Sequence, residues 1–249
     1  MANDRGANNP GANDPGMKGR RNSWRRKLAG DRRGSISVEN AIVFGLLIVL
    51  TVAIIEFSLA LWQWNTAEKA TELGVRYAVQ SDPVATNISN YNGVTDGEFV
   101  PGTSLGLATL SSFTIRCDGN GCTCVVGDCS DFQTVQNQES GTGAFGFKKT
   151  NFDAIVQRMN GVFRGSDLGP DNVTIDYSHV GMGFAGRPGM HIVPAVTVRL
   201  DGVTFDFMVL SFIRPLMFYG SEQPTTSGFP MPPFTATLSG EDMFSGGTS

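Results

Sequence analysis

The chain has 249 residues and a formal net charge of −4, with 17% charged residues and 31 Gly. Residues 1–34 carry nine Lys/Arg against three Asp; residues 35–249 carry ten Lys/Arg against twenty Asp/Glu. A head of +6 on a body of −10 marks either membrane topology or an electrostatic partner. The long apolar segment below favours topology and sets nucleic-acid binding aside.

Residues 1–16, MANDRGANNPGANDPG, have almost no apolar content and are expected to be disordered. Met17 offers a second start. The cluster Arg20, Arg21, Arg25, Arg26, Lys27, Arg32 and Arg33 follows, and Gly34 closes the basic leader.

From Ile42 to Leu61 the chain reads IVFGLLIVLTVAIIEFSLAL, twenty residues with a single charge. That is about 30 Å of helix, enough to cross a bilayer. No small-residue cleavage site follows it; Trp62 and Trp64 do, which suits an interfacial aromatic belt. The positive-inside rule then places the N-terminus in the cytoplasm and the acidic body across the membrane. Past the span, Ala67, Ala70, Leu73, Gly74, Tyr77 and Ala78 form one helical stripe, and Asp82-Pro83 ends the helix. Glu72 precedes Arg76 by four residues, an attractive spacing. The expected organisation is a basic leader over 1–34, a continuous helix over 35–82 with its span at about 42–62, and an exported domain over 83–249.

The exported part reads as α+β. Residues 83–112 are loop-like, and Phe113–Arg116 is a short strand leading into Cys117, Cys122, Cys124 and Cys129. Four Cys in a translocated domain point to disulfides, paired 117–122 with 124–129 or 117–124 with 122–129. A four-thiolate zinc site is the rival, but its ligand pairs usually have two to four residues between them, whereas these have four, one and four. Residues 130–149 are polar and Gly-rich. Phe152, Ile155, Val156, Met159, Val162 and Phe163 mark a helix capped by Thr150 or Asn151 and ended by Gly165. Asn172–Ser178 is a strand. His191–Leu200 and Val203–Phe212 form a hairpin through Asp201-Gly202, closed by Pro215. Phe234–Leu238 is a last strand, and the end SGGTS frays.

No catalytic constellation stands out, and no metal, cofactor or small-molecule site does either. His179 and His191 read as strand or loop histidines. Gly181, Gly183 and Gly186 share the spacing of a dinucleotide loop, but Arg187-Pro188-Gly189 follows instead of a helix, so they read as a turn.

Two carboxylates stand apart. Glu39 lies at the mouth of the apolar helix, where the helix dipole favours an acid. It also lies five residues after Gly34. Glu56 stands fifteen residues into the apolar run, where an ionised side chain costs on the order of 3 kcal/mol. It either snorkels to the outer leaflet or packs against a partner subunit or assembly protein.

Together, Gly34, Glu39 at the fifth following position and an apolar helix resemble the processing site of type IV pilin-like proteins. Ser37-Val38-Glu39-Asn40-Ala41, Ile54-Ile55-Glu56-Phe57 and Arg76-Tyr77-Ala78 resemble the TadE-like pseudopilins of tight-adherence pilus systems. Asn40 stands where that family usually has an aromatic, and Gly45 where it often has Pro. The resemblance covers about residues 34–80. It implies a pilin-like fold: a long N-terminal transmembrane helix, then an exported domain with an antiparallel sheet and at least one further helix. It implies cleavage between Gly34 and Ser35 by a membrane prepilin peptidase. The freed α-amine of Ser35 would pair with Glu39 of a neighbouring subunit. The implied role is a minor subunit of a pilus or related secretion machine, acting in adhesion and surface attachment without catalysis. Its partners would be the inner membrane, other pilin-like subunits and the assembly machinery. The alternatives are an uncleaved membrane-anchored periplasmic binding protein and a metal or redox protein built on the cysteine cluster.

Overall fold

In the computed structural model of the protein, residues 32–91, 93–94, 99–132, 145–163, 168–205, 207 and 229–243 are described, side chains from residue 36 onward. The basic leader up to residue 31, Met17, the polar stretch 133–144, Gly165, the expected strand continuation through Phe212 to Pro215 and the SGGTS end lie outside the described residues. The chain divides into two units, Met1–Ile54 and Ile55–Ser249.

The described part of the first unit is helical and belongs to α1, which spans Arg32–Gln80. Its apolar side chains are exposed, with Ile42 at 67% and Leu46 at 72%.

The second unit begins within α1. There the helix buries Ala67, Ala70, Thr71, Gly74, Val75, Ala78 and Val79. The expected stripe also included Leu73 and Tyr77, but Leu73 is 41% exposed and Tyr77 only half-buried. The small residues set the facing direction instead. A Cβ at Gly74 would come within 2.6 Å of Met159 Sδ and 3.4 Å of Val198 Cγ1, so a side chain there would have to push the end of Met159 aside.

After α1 come a short helix α2 (Asn87–Asn90), strands β1 (Thr114–Asp118) and β2 (Gly121–Val126), and helix α3 (Lys149–Asn160). Strands β3 (Val173–Gly183), β4 (Ile192–Leu200), β5 (Thr204–Phe205), β6 (Phe229–Pro230) and β7 (Phe234–Ser239) follow. Five strands form one antiparallel sheet in the order β2-β1-β3-β4-β7. With the long helix, this is the expected α+β fold.

Register follows the period-two alternation of side chains. One face carries the row Cys122, Cys117, Ile175, Val198, Ala236 and the row Cys124, Ile115, Tyr177, Val196, Leu238. Ile115, Cys117, Ile175, Tyr177, Val196 and Val198 are fully buried or nearly so. The opposite face is polar, with Thr123, Arg116, Asp176, Thr197 and Thr237 in one row. Cross-strand hydroxyls meet there: Thr114 with Ser178 at 3.0 Å and Thr197 with Thr237 at 2.8 Å.

Three local expectations are corrected. The hairpin through Asp201-Gly202 does not form: β5 pairs with β6, and the far side of β4 is held by β7 over six residue pairs. Gly202 does take a positive φ of +72°. However, Asp201 is tied back to Asn172, donating its N–H to the Asn172 carbonyl at 2.8 Å, and the chain leaves the sheet. Strand β3 runs five residues beyond the expected Ser178, because Val180–Met182 form an irregularity between the His179 and Gly183 pairings. Gly181, Gly183 and Gly186 lie in this segment with positive φ, so they turn a strand end. Helix α3 takes its N-cap at Lys148 with no side-chain cap; Asn151 instead donates to the Asp82 carbonyl at 3.1 Å. Gly161, not Gly165, sits at its C-cap.

Candidate functional site along the apolar helix

Gly34 and Ser35 lie in the first described turn of α1, so the bond between them is part of the helix. Glu39 is exposed, one turn further along. From Ile36 to Leu61 nearly every apolar side chain of α1 faces outward, Phe44 at 64% and Phe57 at 64% among them. A soluble monomer rarely shows more than a few hundred Å² of contiguous apolar surface. Lipid or other apolar helices can cover such a sleeve. α1 is long and apolar enough to cross a bilayer, which a single-pass membrane protein requires.

Glu56 departs from its neighbours. Ile54, Ile55 and Phe57 are each about 60% exposed, yet Glu56 is only 5% exposed. Both readings of this residue put its carboxylate outside the chain's own fold, at a leaflet surface or against another protein. The structure places it inside the second unit. The sequence could not show this, because burial of one helical position depends on what packs there.

Beyond the span, Trp64 meets Phe234 of β7 edge-on, with ring centroids 5.0 Å apart. It therefore serves packing as well as any interfacial role, while Trp62 stays about half exposed. The charged side of this segment also differs from its spacing. Glu72 bonds Lys69 at 2.7 Å, not Arg76, and Lys69 holds the Glu72 carboxyl below the ordinary carboxylate range.

The four cysteines are brought together as two local disulfides, Cys117–Cys122 and Cys124–Cys129. The first bridges directly opposed residues of β1 and β2 on the core face. With both pairs oxidised, no thiolate remains in the cluster for a metal.

His179 sits on β3, buried, its ring stacked on Phe113 with centroids 5.4 Å apart and planes 11° apart. His191 lies just before β4. Burial pushes the pKa of both below the ordinary imidazole value. Neither faces a metal-binding group among the described residues.

Two arrangements had no local sequence signal. Arg116 binds Asp176 with two bonds, at 2.7 and 2.8 Å, and Arg199 lies 3.8 Å from the same carboxylate. Arg158 of α3 lies over the ring of Tyr77 on α1 at 5.2 Å. The partners are far apart in sequence, so only cross-strand register or helix packing could reveal them.

The family described as TadE-like protein matches residues 34–76. No curated protein and no solved structure matches the chain.

Proposed function

We propose, from the premise that residues 34–76 form a TadE-like segment, that this protein is a pilin-like subunit of a tight-adherence pilus or related secretion machine. A membrane prepilin peptidase would cut between Gly34 and Ser35, leaving a helix with a charged amine at its start. Glu39 would pair with that amine on a neighbouring copy. An unpaired carboxylate in low dielectric is expensive, so the pairing would set the register of packed helices. The exported domain, net acidic and closed by two disulfides, would face the periplasm or the filament surface.

The observation that carries this reading is the exposed apolar sleeve of α1 directly after Glu39, within a family match that starts at Gly34 itself. Glu39 is exposed and has room for a partner group.

The test is mass spectrometry of the N-terminus in cells that hold a prepilin peptidase. A mature chain starting at Ser35 is expected, and an intact Gly34–Ser35 bond refutes the reading. In Glu39→Ala, cutting should persist while assembly into filaments is lost. Normal assembly of that variant removes the pairing role.

A further inference from the structure

Among the described residues of the exported unit, five of the eight Lys and Arg are committed to nearby carboxylates. Lys69 pairs with Glu72, Lys148 with Asp82 and Lys149 with Asp153, while Arg116 and Arg199 share Asp176. Among the described residues, Arg76, Arg158 and Arg187 make no ion pair within 4 Å. Arg76 adds to the field at Glu72 without reaching it. Arg76 and Arg158 line one open groove of about 960 Å³, together with Leu73, Tyr77, Gln80 and Gln157. Among the described residues no carboxylate lines it.

The groove is built for a planar anion. Tyr77 holds the Arg158 guanidinium against its ring face. A guanidinium held at a ring face still has N–H donors for a carboxylate, and the cation–π contact reduces the freedom lost on binding. Gln80 and Gln157 add amide donors, and the exposed Leu73 adds an apolar edge. The groove is open, which suits a protruding turn better than an enclosed small molecule.

The acidic partner can be sought in the chain itself, since residues 35–249 carry ten more acids than bases. Asp82, Asp153, Glu72 and Asp176 are in ion pairs. Asp118 and Asp128 accept backbone N–H groups. Glu68, Asp171 and Asp201 also make no ion pair among the described residues, but each stands without an acidic neighbour in sequence; Glu241 and Asp242, in the turn after β7, are adjacent and exposed and likewise make no ion pair there.

We propose that the Arg76–Arg158 groove receives the Glu241-Asp242 turn of a second copy of this chain. The proposal rests on the assembly reading above and deepens it by naming a contact between exported domains. Groove and turn are different surfaces, so the contact is heterologous, and repeated copy to copy it yields a ring where the rotation closes and an open filament where it does not.

The test places a photo-cross-linking phenylalanine derivative at Leu73 of the full-length protein in cells. Mass mapping should recover the 240–243 peptide of a second copy. Arg76→Glu with Arg158→Glu should cut the cross-linked yield about tenfold, and Glu241→Lys with Asp242→Lys should do the same. Co-producing the two charge-reversed chains should restore it, because each supplies the surface that the other lacks. Retention of both disulfides checks that the variants fold. Failure of the pair to restore the yield, or capture of another molecule at Leu73, overturns the contact. A second probe at Ile42 separates the two ideas. Copy-to-copy capture at Ile42 with none at Leu73 removes the groove contact alone. No capture at either site with an uncut N-terminus removes the assembly reading and this contact with it.

Discussion

The hydroxyl of Tyr177, in the middle of β3, accepts the backbone N–H of Val84 at 3.0 Å. It ties the first residues beyond Pro83 to the sheet core. Tyr177 is fully buried, and burial pushes its phenol far above the usual range, so it stays a neutral hydroxyl at any working pH. Tyr177→Phe keeps the ring but strands a buried N–H. A loss of about 1–3 kcal/mol is expected, seen as a lower urea midpoint at an unchanged slope. An unchanged midpoint would mean that Val84 finds another acceptor.

The Arg116–Asp176–Arg199 group predicts an asymmetric response. The Asp176 side chain is 9% exposed, whereas those of Arg116 and Arg199 are 40% and 37% exposed. An arginine that loses its partner can turn toward water, but the aspartate cannot. Asp176→Ala should therefore cost about 1–2 kcal/mol, less than the 3–5 typical of a fully buried pair. Arg116→Gln, which removes the bidentate partner, should cost more than Arg199→Gln. Denaturation of the three variants side by side checks the order.

Both disulfides close loops of the same sequence separation, so loop entropy contributes about 2 kcal/mol to each. Their surroundings differ. Cys117 and Cys122 are buried in the core, whereas Cys124 is half-buried at the margin of the sheet. Replacing Cys117 and Cys122 by Ser should destabilise the domain more, because two hydroxyls then sit in apolar surroundings. Cys129 is buried like the first pair, so under mild reductant alkylation mapped by mass should label Cys124 first. Simultaneous labelling of all four would contradict this order.

Acid should weaken the fold through its histidines. Burial lowers the folded-state pKa of His179 and His191, so below about pH 6.5 the unfolded chain binds protons that the folded chain refuses. Stability is then full above that value and falls as pH drops toward the folded pKa, by at most about 1.4 kcal/mol per pH unit for each histidine. His179→Phe should flatten the slope between pH 6.5 and 5. An unchanged slope would leave His191 and the carboxylates as its source.

Much of this architecture is legible in the residues because its causes are local. The apolar run from Ile42 needs no partner to be apolar, and Asp82-Pro83 stops a helix wherever it stands. Strand β7 spans Phe234–Ser239, one residue beyond expectation, because alternation and β-branched residues mark it. The Asp201-Gly202 turn shows the limit of local evidence. Its glycine adopts the expected positive φ, yet the strand after it does not return to β4. Turn chemistry states that the chain can reverse; which strand fills an edge depends on competition with distant segments, and here β7 wins.

The same division holds for the candidate site. The sequence alone determined the exposed helix and the Gly34-to-Glu39 spacing, since hydrophobicity and spacing are properties of a continuous segment. It also confined the cysteines to nearby partners within thirteen residues. Only the tertiary structure decided that they pair 117–122 and 124–129, that Glu56 is buried and that Arg158 rests on Tyr77. Each of these depends on which side chains the folded backbone brings face to face. Packing sets that arrangement, as where Gly74 of α1 lies against Met159 and Val198.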